Sequence, residues 1–327
     1  MSSEDSIRQG IYQSGLVRRL ARWLDTTPHP TMACEIAADY VAAARWNRTG
    51  NGLDGYAVEP LPPGAILPTP VEANLVDASE VRAAVGRVFS RLRAKNEDVA
   101  LLLPDSVIRI FVLHFDVFPR KAEEAIPILR WRLKKSVPFE AEETLISYMR
   151  QTPREEGVDI VTGLARLRIV REYESLVESV GLSPGVVLSS TLAAVPLLPD
   201  NRPALLARVA GTTLTTAIVR DGVLCGYRCT TLPADARTVT PQALLDEIYP
   251  LAAYYQDSWS EGIAQVRLAG LYDRMQEFRG PFEQELKCPV QSLLVAAVNE
   301  GMIGSDEHPL VERGLDALVG WTLNRGA

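Results

Sequence analysis

No apolar run in the 327 residues approaches the roughly 18 consecutive positions that a membrane-crossing helix requires, and the first residues carry no signal-peptide core. Four cysteines in a chain this long make no disulfide framework, so reduced thiols are expected. The three histidines, His29, His114 and His308, stand far apart with no serine or cysteine elbow to serve; His114 is read as a hydrogen-bonded structural residue. Neither a P-loop nor a G-x-G-x-x-G run is present. Basic charge is also short: 34 Lys+Arg against 41 Asp+Glu leave a net charge of −7, a poor general surface for nucleic acid. What is there is an ordinary globular composition, 47% hydrophobic and 23% charged, long enough for two domains with separate cores. A soluble cytoplasmic protein is the expectation.

Ile7, Ile11, Val17, Leu20 and Leu24 fall at helical spacing with Arg8, Arg18, Arg19 and Arg22 among them, which predicts a basic amphipathic helix over residues 6–24. Such a helix either makes a peripheral membrane contact on an anionic surface or docks its stripe on the folded body. Residues 1–30 are read as an N-terminal extension.

From Thr31, TMACEIAADYVAAARW, NRTGNGLDG and YAVEPLPPG predict strand, strand, turn and strand. ALLARVAGTTLTTAIV, RDG and VLCGYRCTTLP repeat that rhythm. Gly55-Tyr56 with Leu61-Pro62 matches Gly226-Tyr227 with Leu232-Pro233 at a constant offset. Two related α/β halves follow, with the break in VPLLPDNRP at 195–203. A helix is expected over 78–95 and an apolar strand over 99–103. Val107 to Phe118 alternates, with Phe111, Leu113, Phe115 and Val117 on one side. Pro119 should open a helix with Ala122, Ile126, Leu129, Leu133 and Val137 as its buried stripe. Pro127 conflicts with that helix by about 3 kcal/mol, so a kink or a later start is expected. Trp131 projects opposite the stripe among charges, as a candidate partner-binding anchor or a residue buried against a neighbouring subdomain. Strands at 144–151, 158–167, 186–189 and 266–270, and helices at 170–180, 191–197, 241–259 and 272–286, complete the reading, and GLDALVGWTL closes the chain as a buried helix. Cys225 and Cys229 are placed on one strand face, as buried thiols rather than zinc ligands.

LLLPDSVIRIFVLHFDVFP, EEAIPILRWRLKKSVPF with its break at Pro138-Phe139, REYESLVESVGLSPGVVLSSTLAAVPLL and ERGLDALVGWTL together resemble the type IV pilus assembly protein PilM family, whose actin-like fold is also seen in FtsA. The resemblance implies an α/β protein with two RNase H-like subdomains flanking a cleft and an inserted strand-helix-strand-strand module. Residues 31–104 and 181–200 would form the first subdomain, 105–180 the insertion, and 201–327 the second, with a helical insertion near 240–262. It further implies a cytoplasmic scaffold peripheral at the inner membrane. Such a scaffold binds the N-terminal cytoplasmic tail of a PilN-like single-span membrane protein, in a groove between the first subdomain and the insertion, and links it to a pilus motor ATPase. The cytoplasmic part of the secretion protein GspL is the alternative. GspL normally continues into a membrane span, and an end at Ala327 without one points to the pilus side.

Actin-like ATPases cradle phosphate in two turns whose carboxylates organise Mg²⁺, which takes oxygen ligands. At the first turn of that pattern this chain has Glu35, Ala37, Ala38 and Ala42; the glycine has gained a Cβ, and the hydroxyl and lysine are missing. At the second it has Arg208, Ala210 and Leu214, with Gly211, Thr212 and Thr213 close by, and the adenosine turn is Ala269-Gly270. Arg208 reverses the charge where a carboxylate belongs. The expectation is a pseudo-ATPase with no catalytic residue, no metal and no required cofactor. Metal-free ATP binding through the arginine and an active ATPase of the same fold stay open as alternatives.

Overall fold

The computed structural model describes residues 30–47, 52–139, 143–153, 157–199 and 201–325, and the helix expected over residues 6–24 lies outside them. Strand alternation sets the architecture. In β1 (Met32–Ile36), Met32, Cys34 and Ile36 face one way, while Ala33 and Glu35 face the other. β2 (Tyr40–Trp46) and β3 (Leu53–Pro60) return antiparallel; α1 (Ala78–Arg91) then leads to β4 (Asp98–Leu103), which pairs parallel with β1. Between β4 and the last strand of this sheet come β5 (Arg109–Phe115), α2 (Ala122–Leu133), β6 (Thr144–Pro153), β7 (Val158–Arg166) and α3 (Leu167–Glu178). β8 (Ser183–Ser189) completes a five-stranded sheet in the order β3-β2-β1-β4-β8.

After the short α4 (Ser190–Ala194) the plan repeats. β9 (Ala204–Ala210), β10 (Thr213–Arg220) and β11 (Val223–Thr231) form a meander, followed by α5 (Pro241–Trp259), β12 (Gln265–Ala269), α6 (Met275–Leu286) and β13 (Val290–Ser292). Their sheet order is β11-β10-β9-β12-β13, the same as in the first half. Gly55-Tyr56 and Gly226-Tyr227 lie in corresponding third strands. Each strand closes alike, the Leu61 N–H donating to the Asp39 carbonyl (2.8 Å) and the Leu232 N–H to that of Thr212 (2.7 Å). α7 (Leu293–Asn299), α8 (His308–Glu312) and α9 (Asp316–Arg325) end the chain. This is the actin-like arrangement of two RNase H-like sheets with an inserted module.

The core has three layers. One lies outside the first sheet, where Cys34, Ile36 and Leu101 meet α1 and α3 through Val85, Phe89 and Tyr173. Another lies outside the second, where Leu205 and Ile218 meet Ile248, Tyr255 and Phe278. The middle layer holds α4 and α9, with Trp46, Leu206 and Trp321, between the small inward residues of both sheets. α9 packs on α4 at Gly320, where a Cβ would overlap the Ala193 carbonyl oxygen. Among the described residues no helix is long and apolar enough to cross a membrane.

The inserted strands form their own antiparallel sheet, β5-β7-β6, with α2 on one face. Two expectations are corrected here. α2 begins at Ala122, not Pro119, because the Phe118 and Pro119 carbonyls accept from the Arg150 guanidinium (3.1 and 2.7 Å) instead of from helical N–H groups. Its buried stripe is Ala125, Leu129 and Leu133; Ala122 is exposed, Ile126 is partly covered, and Val137 lies beyond the helix, which runs through Pro127. Cys225 and Cys229 do not share a face either. At the Ile218/Val219 bulge the register passes from Gly226 to Leu224 and skips Cys225, which flips the alternation. Cys225 packs under α5, whereas Cys229 faces Thr215 and Asp105 on the cleft side.

Candidate functional site

Glu35 and Arg208 are inward-facing residues near the ends of β1 and β9, the first strands of the two sheets. Strand alternation therefore aims both at the space between the halves. They meet there, Arg208 Nη2 donating to Glu35 Oε1 at 2.9 Å, with both side chains buried. Arg208 Nε donates to both oxygens of Asp316 (3.0 and 3.1 Å) at the start of α9, and Nη1 stands 3.6 Å from Asp105 Oδ2. One guanidinium thus faces three carboxylates, from β1, from α9 and from the turn after β4.

Asp105 is fixed in turn. It accepts from the Thr191 backbone N–H (2.9 Å), the Thr191 hydroxyl (2.6 Å) and the Tyr227 hydroxyl (3.1 Å), the last from the other half. Burial pushes the Glu35 carboxyl above the usual range; Arg208 opposes this, Asp316 adds to it, and the nearby Ser190 and Tyr40 hydroxyls lower it. Burial works against the Arg208 charge, but Asp316, Glu35 and Asp105 outweigh it and hold the guanidinium well above its ordinary value. Burial, with Asp105 adding to it, raises the Cys229 thiol to about 11.

Above this cluster is a cavity of ≈ 460 Å³ between the halves, and the structure brings Glu35, Ala37, Ala38, Arg208, Gly211, Thr212, Thr213 and Gly270 together on its wall. Ala42 and Leu214, matched to the lysine and threonine of the ATPase pattern, lie elsewhere, Ala42 in the middle core and Leu214 in the outer one. Gly270, just after β12, has φ +77°, and a Cβ there would overlap the Val209 carbonyl oxygen on β9, so both its backbone and its surroundings call for glycine. Asp105, Asp316, Tyr40 and Ser190 also line the cavity, and local sequence pattern did not select them.

Glu35 Oε1 and both oxygens of Asp316, which could otherwise ligate a hard cation, are turned onto Arg208, while Glu35 Oε2 is buried with no hydrogen-bond partner among the described residues. Among the described residues no group of three or more His, Cys, Asp or Glu is arranged to hold a metal. The residues present do not fit a Mg²⁺-bound triphosphate, whose metal would have to displace the guanidinium.

A second, smaller hollow of ≈ 50 Å³ lies where β8, the edge of the first sheet, meets the inserted sheet, lined by Ile110, Met149, Val161, Val187, Leu192 and Leu224. Gln151 pins the insertion to the second half there. Its Nε2 donates to the Leu224 carbonyl, and its Oε1 accepts from the Leu224 N–H, both at 2.8 Å. His114 Nδ1 is 2.9 Å from Asp159 Oδ1, the structural pairing expected of it. Trp131 is 81% exposed on the outer face of α2.

No protein-family model matches the chain. Among solved structures, a chain of a PilM–PilN type IV pilus biogenesis complex superposes with a TM-score of 0.68 at 17% identity, over 91% of this chain and 99% of that one. The fold is that of PilM. More distant are the cytoplasmic domain of EpsL, an inner-membrane component of the type II secretion system of Vibrio cholerae (TM-score 0.47, 12% identity, 83% and 94% covered), and MreB5 of Spiroplasma citri bound to ADP (TM-score 0.44, 12% identity, 90% and 95% covered). At 17% identity the PilM likeness is one of backbone course, and the cleft chemistry is read from this chain's own side chains.

Proposed function

We propose that the chain is a non-catalytic adaptor of a type IV pilus inner-membrane platform, which takes up the N-terminal cytoplasmic tail of a PilN-like membrane protein. The observation that carries this reading is the Arg208 cluster. A buried cation already paired with Glu35 and Asp316 stands where a nucleotide machine needs free carboxylates, so the cleft serves as a joint between the halves. The likeness to a PilM solved with PilN supports the choice of partner. The apolar hollow beside the edge strand β8 suits an extended peptide: free backbone groups of the strand would give affinity, and Val187 and Met149 would receive alternate side chains.

Two titrations test this. Calorimetry with synthetic N-terminal tails of single-span pilus proteins should give binding that Val187→Asp weakens at least about tenfold, since the substitution places an unpaired charge in the apolar contact. Titration with Mg-ATP should give neither binding heat nor phosphate release. Micromolar ATP binding with turnover and no peptide binding would replace the adaptor with an actin-like ATPase.

A further inference from the structure

α2 carries a surface that neither the cleft nor the peptide hollow uses. Opposite its buried stripe, the helix exposes Trp131 (81%) and Ile128 (38%) on one face with Pro127. Between residues 120 and 135, Arg120, Lys121, Arg130, Arg132, Lys134 and Lys135 stand against Glu123 and Glu124, a net +4 in a chain whose total is −7. Some exposed arginines on other helices are paired within the helix: Arg87 with Glu80 in α1, Arg171 with Glu174 in α3, Arg279 with Glu283 in α6. Among the described residues Arg120, Lys121, Lys134 and Lys135 make no ion pair and are exposed; Lys134 and Lys135, three and four positions on, stand next to the tryptophan, while Arg120 and Lys121 lie at the other end of the helix. Arg132 stacks 4.5 Å over Phe115 and donates to the His114 carbonyl, which fixes the flank of this face.

We propose that the outer face of α2 is a docking surface for an anionic lipid bilayer, with Trp131 seated at headgroup depth and the unpaired lysines and arginines contacting lipid phosphates. An indole has an apolar body and one polar N–H, which suits the boundary between acyl chains and headgroups. Unpaired basic side chains around it meet the negative surface potential of such a membrane. Shape selects a lipid surface over an acidic peptide. α2 lines neither cavity, and a single convex helix face gives a peptide no groove to lie in. A bilayer is itself flat and yields to a protruding side chain.

The test uses the full chain and vesicles of phosphatidylcholine with or without 40% phosphatidylglycerol, read by flotation. The expected result is binding to the phosphatidylglycerol vesicles alone, reduced roughly fivefold or more by Trp131→Ala and again by Lys134→Glu with Lys135→Glu, and lost in high salt. All three side chains are exposed, so unchanged circular dichroism and melting should accompany the loss. Deleting residues 1–27 separates this face from the basic N-terminal segment. Binding that vanishes with the deletion and ignores the α2 substitutions overturns the proposal. Equal binding to phosphatidylcholine also overturns it, as does Trp131-dependent capture of polyglutamate by a protein that ignores vesicles.

Discussion

Arg208 and Asp316 lie 108 positions apart and meet through both carboxylate oxygens, with the guanidinium reaching on to Glu35 across the cleft. The pair ties the last helix to the first strand of the second sheet, and through Glu35 to the first strand of the other. Arg208→Met leaves three buried carboxylates facing one another. It should cost about 3–5 kcal/mol in chemical denaturation, the range for stripping one partner from a buried ion cluster. Adding Glu35→Gln and Asp316→Asn should recover part of that loss, because the charges left behind cause most of it.

Gln151 makes both of its amide hydrogen bonds to the Leu224 backbone. Gln151→Leu leaves a buried N–H and C=O unpaired, at about 1–3 kcal/mol each. Hydrogen exchange at Leu224 should accelerate, with exchange in α1 and α3 unchanged; equal acceleration everywhere would show that the contact is not local.

Gly320→Ala drives a methyl group into the Ala193 carbonyl, where α9 crosses α4. Backbone cannot move aside as a flexible side chain can, so overpacking of about 1–3 kcal/mol is expected. The melting temperature should fall, whereas Gly280→Ala, on an open face of α6, should not lower it.

At the end of β3 the Glu59 carboxylate accepts from Arg87 Nε at 2.7 Å, and that bond, with Arg91 beside it, holds its pKa below the usual range. A lowered folded-state pKa contributes stability that is complete above the unfolded value of about 4.5 and is lost as pH falls through the folded value. The melting-temperature gap between wild type and Glu59→Gln should therefore be widest near neutral pH and close in acid.

The alternation in β1 and β9, the repeated Gly-Tyr pairs and the charge reversal at Arg208 are local signals, and the sequence showed them. The partners of Arg208 were harder to see. Asp105 reads as a turn residue after Pro104, and its role appears only when Thr191 and Tyr227 arrive from distant segments. Asp316 did leave a trace, as a lone acid in the apolar run GLDALVGWTL, but a helix start is an ordinary place for an aspartate. The late start of α2 depended on Arg150, 28 residues downstream of Ala122. The cysteine faces depended on a bulge, which strict alternation cannot register.

The same five-strand order in both halves places Glu35 and Arg208 at matching stations of two copies of one design. Opposite charges at matching stations attract, and their contact ties the two copies together across the cleft. In the proposed adaptor, a pull on a peptide beside β8 would reach the far side of the molecule through Gln151 and the arginine staple. Such a route suits a part that transmits force.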